Sequence, residues 1–147
     1  MSSSFISRVL ASDNSLVGPI LRIPAGVIFA AHGSQKLFGA FGGYGLEGTG
    51  QYMASIGLEP GYLMALLSGG SEFLGGLALL LGLLVRPSAL MLSVTMVVAI
   101  LSAHISHGLF LSNGGFEYAL SLLAISVALL FRGAGSLSVD GLIARHY

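Results

Sequence analysis

The sequence predicts an all-α membrane protein: an antiparallel four-transmembrane-helix bundle with a Gly-rich outer loop between helices 1 and 2. Three observations carry this expectation. Only 8% of the 147 residues are charged while 54% are hydrophobic, and the mean hydropathy is +0.90. A soluble domain carries about 25% charged residues, so too few polar side chains are present to cover a water-facing surface. The apolar residues fall into four runs, and a bilayer core of about 30 Å needs roughly 20 mostly apolar residues per helix. The segments between the runs are Gly-rich or very short.

Taken in order, the N-terminal MSSSFISRVLASDNS lacks a basic n-region, and no small-residue cleavage site follows the first apolar run. That run reads as an uncleaved anchor rather than a signal peptide. Helix 1 is expected over about 16–38. Residues 39–60 are too polar and too rich in glycine to span; 49–56 suit a short surface helix, and the remainder reads as a flexible lid with Tyr44 and Tyr52 as interfacial anchors. Helix 2 is expected over about 61–84 and helix 3 over about 87–107, opening at Pro87, a residue well tolerated in a first helical turn. The turn between them is so tight that the two must be antiparallel neighbours. A short turn, 108–115, leads to helix 4 at about 116–132, and 1–147 forms one membrane domain.

The six Lys/Arg and six Asp/Glu residues cancel, which leaves no basic face for nucleic acid. Disulfides, thiol redox chemistry and Cys-ligated zinc are excluded by the absence of cysteine. Arg8 precedes helix 1, Arg86 lies in the 2–3 turn, and Arg132 and Arg145 follow helix 4, whereas the other two loops carry no Lys or Arg. The positive-inside rule therefore places both termini in the cytoplasm, and the 39–60 loop outside.

The residues that carry information are the ionisable ones at membrane depth: Arg22, His32 and Lys36 in helix 1, Glu72 in helix 2, His104 and His107 in helix 3, and Glu117 heading helix 4. Each costs at least a few kcal/mol in lipid and so is expected to face the bundle interior, a partner or water. At 100° per residue, Arg22, Gly26, Phe29, Gly33 and Lys36 share a face, and Glu72 is flanked by Ser68, Gly69, Gly75 and Gly76. Rise per residue puts His32 and His104 at similar depth, roughly 24–26 Å from the cytoplasmic ends, with Glu72 near the middle and Arg22 deeper. The expectation is that Glu72 faces Arg22 as an ion pair or turns to the outer His/Lys cluster, that Lys36 pairs with Glu117, and that Arg22, His32, Lys36, Glu72, His104 and Glu117 form a pocket for a ligand or protons. A metal set of His32, His104, His107 and Glu117 is the less favoured alternative, since His and Glu suit zinc, iron or copper. No G-x-S-x-G elbow or phosphate loop is present.

The run RIPAGVIFAAHGSQKL (22–37) resembles the opening signature of the DoxX family, as do GQYMASIGL (50–58), LGLLVRPSALML (81–92) and GAGSLSVDGL (133–142), in order and spacing. The resemblance covers residues from about 20 to 142. It implies a four-helix bacterial inner-membrane protein. Some relatives are subunits of thiosulfate:quinone oxidoreductase, the family takes its name from a small quinol-oxidase subunit, and the wider superfamily includes cargo receptors and assembly factors. The expected function is the membrane subunit or partner of a quinone-linked redox system, with quinone as the ligand and no covalent cofactor. Expected partners are lipid, a redox or other membrane or periplasmic protein, and a second copy of the chain. Binding or transport of a small solute or metal ion, and a purely scaffolding role, are the alternatives.

Overall fold

A computed structural model describes residues 2–146, with side-chain environments from Phe5 onward. Among these residues the regular structure is helical throughout: α1 (Ser2–Leu10), α2 (Val17–Phe38), α3 (Gly45–Ser55), α4 (Gly61–Leu81), α5 (Val85–Ala99), α6 (Glu117–Arg132) and α7 (Val139–Ala144). Four of them, α2, α4, α5 and α6, occupy the four apolar runs. α5 does not stop at Ala99 but widens into a π-helical turn, Ile100–His104, and closes as a 3-10 turn, Ile105–His107. Such π turns cluster at functional sites.

Two of these helical stretches are long and apolar enough to cross a membrane, Gly61–Leu81 with 21 residues and Val85–His107 with 23. α6, with 16 residues, is about 24 Å long and falls short of a full hydrocarbon core. Each long helix nevertheless turns large apolar side chains outward, among them Ile20, Leu74, Val94 and Phe131. An apolar surface this continuous is not one that water tolerates.

Small residues bring α2 and α4 together. A Cβ on Gly26 would run into the Gly76 carbonyl, and one on Gly33 into the Phe73 backbone. This is the close approach by which membrane helices gain van der Waals contact. α5 and α6 enclose the core, where Leu79, Leu92, Ala119, Leu122 and Leu129 are buried. α4 ends at Gly82, whose φ of 67° is the left-handed C-cap conformation that glycine allows, and α5 begins after Leu84 in the same region.

Two segments depart from expectation. Residues 39–60 carry more helix than expected: a 3-10 turn, Ala40–Gly42, leads into α3, which begins four residues before the short helix expected from 49. Thr49 and Met53 are buried, and Gly50 and Gly61 let the α3 and α4 backbones meet where a Cβ would collide. Glycines that read as loop signals are here contact points between helices. The short terminal helices α1 and α7 were also not anticipated, and they pack together at one end of the bundle.

Candidate functional site

Polar side chains gather at the two ends of the bundle and behave differently at each. At the end that holds α1 and α7, Arg22 is completely buried. Its guanidinium donates to the carbonyls of Leu79 (3.0 Å) and Leu80 (3.1 Å) at the end of α4, and to Ala134 (2.9 Å), Ser136 (3.1 Å) and Leu137 beyond α6. The expected Arg22–Glu72 pair is therefore not formed. Orphan carbonyls at a helix C-terminus are strong acceptors, and a buried guanidinium finds more of them here than one carboxylate could offer.

Asp140 is the acid at this end. It accepts from Leu84 N (2.7 Å) and Val85 N (2.9 Å), capping α5. Burial pushes its carboxyl above the ordinary range, while those two N–H groups and the Arg22 charge pull it back. Arg86 repeats the pattern, donating to Leu130 and Phe131 at the end of α6 (both 2.8 Å) and to Ala11 (2.9 Å). Arg132 pairs with Asp13 at 2.7 Å. Sequence reasoning missed Asp140. The S-V-D order at 138–140 is its signal, since Ser138 Oγ accepts from Gly141 N as an N-cap and places Asp140 in the first turn of α7.

At the opposite end Lys36 Nζ meets Glu72 Oε1 at 2.6 Å. Glu72 is 3% exposed and Lys36 26%, so the lysine stands between the carboxylate and the outside. The expected Lys36–Glu117 pair is absent. Glu72 Oε2 is buried without a hydrogen-bond partner, an unsatisfied group of the kind that asks for a water, a proton or a ligand.

Lys36 also lines a cavity of about 800 Å³ between α2, α3, α4 and α5. Its polar walls also include His104, Ser71, Thr95, Tyr44, Tyr52 and Gln35, with the small hydroxyls of Thr49, Ser68 and Ser102, and the remainder is mostly apolar. Ser71 and Thr95 hydroxyls lie 2.7 Å apart and join α4 to α5. The volume lies within the 300–1,000 Å³ of small-molecule sites, which likewise combine an apolar wall with a few polar groups. A second cavity, of about 770 Å³ between the α1–α2 linker and the C-terminal segment, lies at the Arg22 end, away from Lys36 and Glu72.

The expected six-residue pocket is thus divided. Lys36 and His104 share the cavity with Glu72 behind the lysine, while Arg22 belongs to the other end. His32 is exposed, its ring 5.9 Å from that of Tyr118 on α6, and it does not line the cavity. One residue step rotates a helical side chain by 100°, and that step separates outward-facing His32 from buried Gly33. Glu117 acts on the chain instead, accepting from Leu111 N at 2.9 Å. His107 is exposed. Among the described residues no three His, Asp or Glu side chains lie close enough to hold a metal, so the metal set of His32, His104, His107 and Glu117 is not assembled.

Comparison with known proteins adds a family to this geometry. The DoxX family model matches residues 19–105. A Bacillus subtilis protein named "Putative oxidoreductase CatD" is 33% identical over 121 residues, covering 82% of each chain. Two Haemophilus influenzae proteins of uncharacterized function are also similar. One is 33% identical over 128 residues, covering 82% of this chain and 85% of its own. The other is 36% identical over 78 residues, covering 53% and 52%. No solved structure matches significantly.

Proposed function

Because the chain belongs to the DoxX family, we propose that it is the membrane subunit or partner of a quinone-linked redox system, binding a quinone-type ligand in the Lys36 cavity. The observation that carries the reading is the cavity itself: an apolar space of about 800 Å³ with one buried-backed cation, Lys36, on its wall. A ring with carbonyl oxygens and a long apolar tail has the matching chemistry. The Lys36–Glu72 pair is neutral overall, so the site suits a neutral acceptor better than an oxyanion, which would compete with the Glu72 carboxylate. Leu67, Val94 and Val98 line the cavity and are also exposed on α4 and α5, which gives an apolar tail a lateral way out toward lipid. The chain has no cysteine for thiol or iron–sulfur chemistry, and electron exchange is assigned to a partner protein. The oxidoreductase name of the Bacillus subtilis relative supports the redox assignment.

In this reading α2, α4, α5 with its π turn, and α6 all cross the bacterial inner membrane. Both termini are cytoplasmic, and the Gly-rich segment 39–60 that contains α3 lies outside. Support comes from the basic residues, because Arg86 and Arg132 converge on the end that holds the N-terminal linker. The function is tested by titrating the purified protein in detergent with a short-chain benzoquinone. Saturable binding is expected, weakened about ten-fold or more in Lys36→Met, since a hydrogen bond from a charged donor contributes about 1.5–3 kcal/mol. Absence of binding to the unaltered protein overturns it.

A further inference from the structure

The charges of the chain are sorted by end. All five arginines, Arg8, Arg22, Arg86, Arg132 and Arg145, lie at the end that holds α1 and α7, with only Asp13 and Asp140 among them. Lys36 shares the other end with Glu47, Glu59, Glu72 and Glu117. A chain that is neutral as a whole therefore carries an excess of three positive charges at one end and three negative charges at the other.

Most of the positive end is answered from within. Arg22 and Arg86 donate to backbone carbonyls, Arg132 pairs with Asp13, and Asp140 accepts from two backbone N–H groups. Arg145 is different. It is exposed, and among the described residues it makes no ion pair or hydrogen bond. It lines the cavity of about 770 Å³ between the α1–α2 linker and the C-terminal segment, as do Ser12 and Asn14. The side chains of Ser12 and Asn14 also hydrogen-bond to nothing among the described residues. Asp13 is on this wall too, but Arg132 holds it at 2.7 Å and the Ser15 hydroxyl donates to it at 3.0 Å. The wall thus offers a guanidinium, an amide and a hydroxyl as donors, and the guanidinium charge is not neutralised.

Leu81, Leu137 and Leu142 line the same cavity and are exposed, Leu137 at 81%. Leu137 has a φ of 54°, a left-handed conformation that leucine rarely adopts. Its carbonyl accepts from Arg22 while its side chain stands outside. Leu81 closes α4, and residues 135–139 follow α6, so the cavity lies where two of the proposed spanning helices end. That is the level of lipid head groups.

We propose that this cavity binds one anionic phospholipid, with Arg145, Asn14 and Ser12 toward the phosphate and the three leucines along the upper acyl chain. Charge complementarity argues for an anion, since basic sites at the ends of membrane helices attract anionic lipid. The leucines argue for a lipid, because a soluble anion would leave them uncovered. The inference rests on the membrane placement above and is independent of the quinone reading.

The test is native mass spectrometry of the delipidated protein in detergent, offered phosphatidylglycerol and phosphatidylcholine of the same acyl chains in equal amounts. One phosphatidylglycerol per chain should be retained, about ten-fold more tightly than phosphatidylcholine, whose ammonium repeats the sign of the site. Arg145→Gln should bring the two lipids to within about two-fold of each other. Arg8→Gln removes the same charge from the same end but not from the cavity wall, and should keep most of the preference. Glycerol 3-phosphate, the soluble head-group anion, should not displace the lipid. Equal retention of the two lipids by the unaltered protein overturns the inference, whatever the variants do. Equal losses in Arg145→Gln and Arg8→Gln would replace the site with a general attraction of charge and overturn it as well. Displacement by glycerol 3-phosphate would assign the cavity to a soluble anion. An Arg145→Gln variant that dissociates a dimer while keeping its lipid preference would assign it to a second copy of the chain. Either result overturns the lipid site, and benzoquinone binding by the same preparation reports separately on the Lys36 cavity.

Discussion

The Arg22 end and the Lys36 end of the bundle each set a cation beside a buried acid, yet they are finished differently. Around Arg22 every donor direction is met by a backbone carbonyl, and Asp140 caps α5 with both oxygens. Around Lys36 the acid retains an oxygen without a partner, the neighbouring helix loosens into a π turn, and a cavity adjoins. Completed polar networks rigidify a fold, while a buried polar group left unpaired is costly. The contrast marks the first end as the one that holds the bundle together and supports the second as the site of the proposed quinone-type ligand.

The sharpest way to break that comparison is at Arg22. Arg22→Leu leaves five carbonyls without their donor and removes the positive charge that acts on Asp140. A loss of about 3–5 kcal/mol is expected, the usual cost of removing one partner from a buried charged site, and thermal unfolding in detergent measures it. A melting temperature near that of the unaltered protein would remove the clasp from the account.

Gly33→Ala comes next. Its new methyl would meet the Phe73 backbone, and overpacking of that kind costs about 1–3 kcal/mol. Unfolding should respond more strongly than at Gly70, where a Cβ meets nothing within 4 Å.

At the other end, Lys36→Met should cost less stability than Arg22→Leu, because Lys36 is 26% exposed. Adding Glu72→Met should recover part of that loss, since an apolar pair avoids the desolvation of two ions. Neither the single nor the double variant should bind quinone well. A double variant that unfolds as readily as Arg22→Leu would erase the distinction between the ends.

The smallest expected effect is on pH dependence. Burial raises the Asp140 carboxyl, so as pH falls the folded chain takes up this proton before the unfolded chain does. That group alone makes acid stabilising between its raised value and the ordinary one. The stability of the unaltered protein relative to Asp140→Asn should therefore rise as pH falls through that window. A relative stability that falls would show the two N–H bonds and Arg22 outweighing burial.

Sequence patterns located the apolar runs and the residues out of place in them, and Lys36, Glu72 and His104 come to one side of the bundle. Their partners were harder to read. Charge balance pairs a side chain with a side chain, but Arg22 and Arg86 chose backbone carbonyls, which exist at every position and leave no compositional trace. Helical phase put His32 near the interior stripe, and a single 100° step moved it outside. Only the first turn of α3 was obscured, because the glycines at 45 and 48 read as loop signals.

The carbonyl clasp also sets an order of events during synthesis. Arg22 enters with the first long helix, its acceptors at Leu79 and Leu80 follow 57 and 58 residues later, and Ala134, Ser136 and Leu137 arrive 112 to 115 residues after it. At about 5–20 residues per second, the guanidinium waits roughly 6–23 s for its last ligands. During that interval α2 holds an unmet charge that favours water, translocation machinery or a chaperone over lipid. Nascent chains halted before Ala134 should stay associated with the insertion apparatus, and release should coincide with emergence of the final helix.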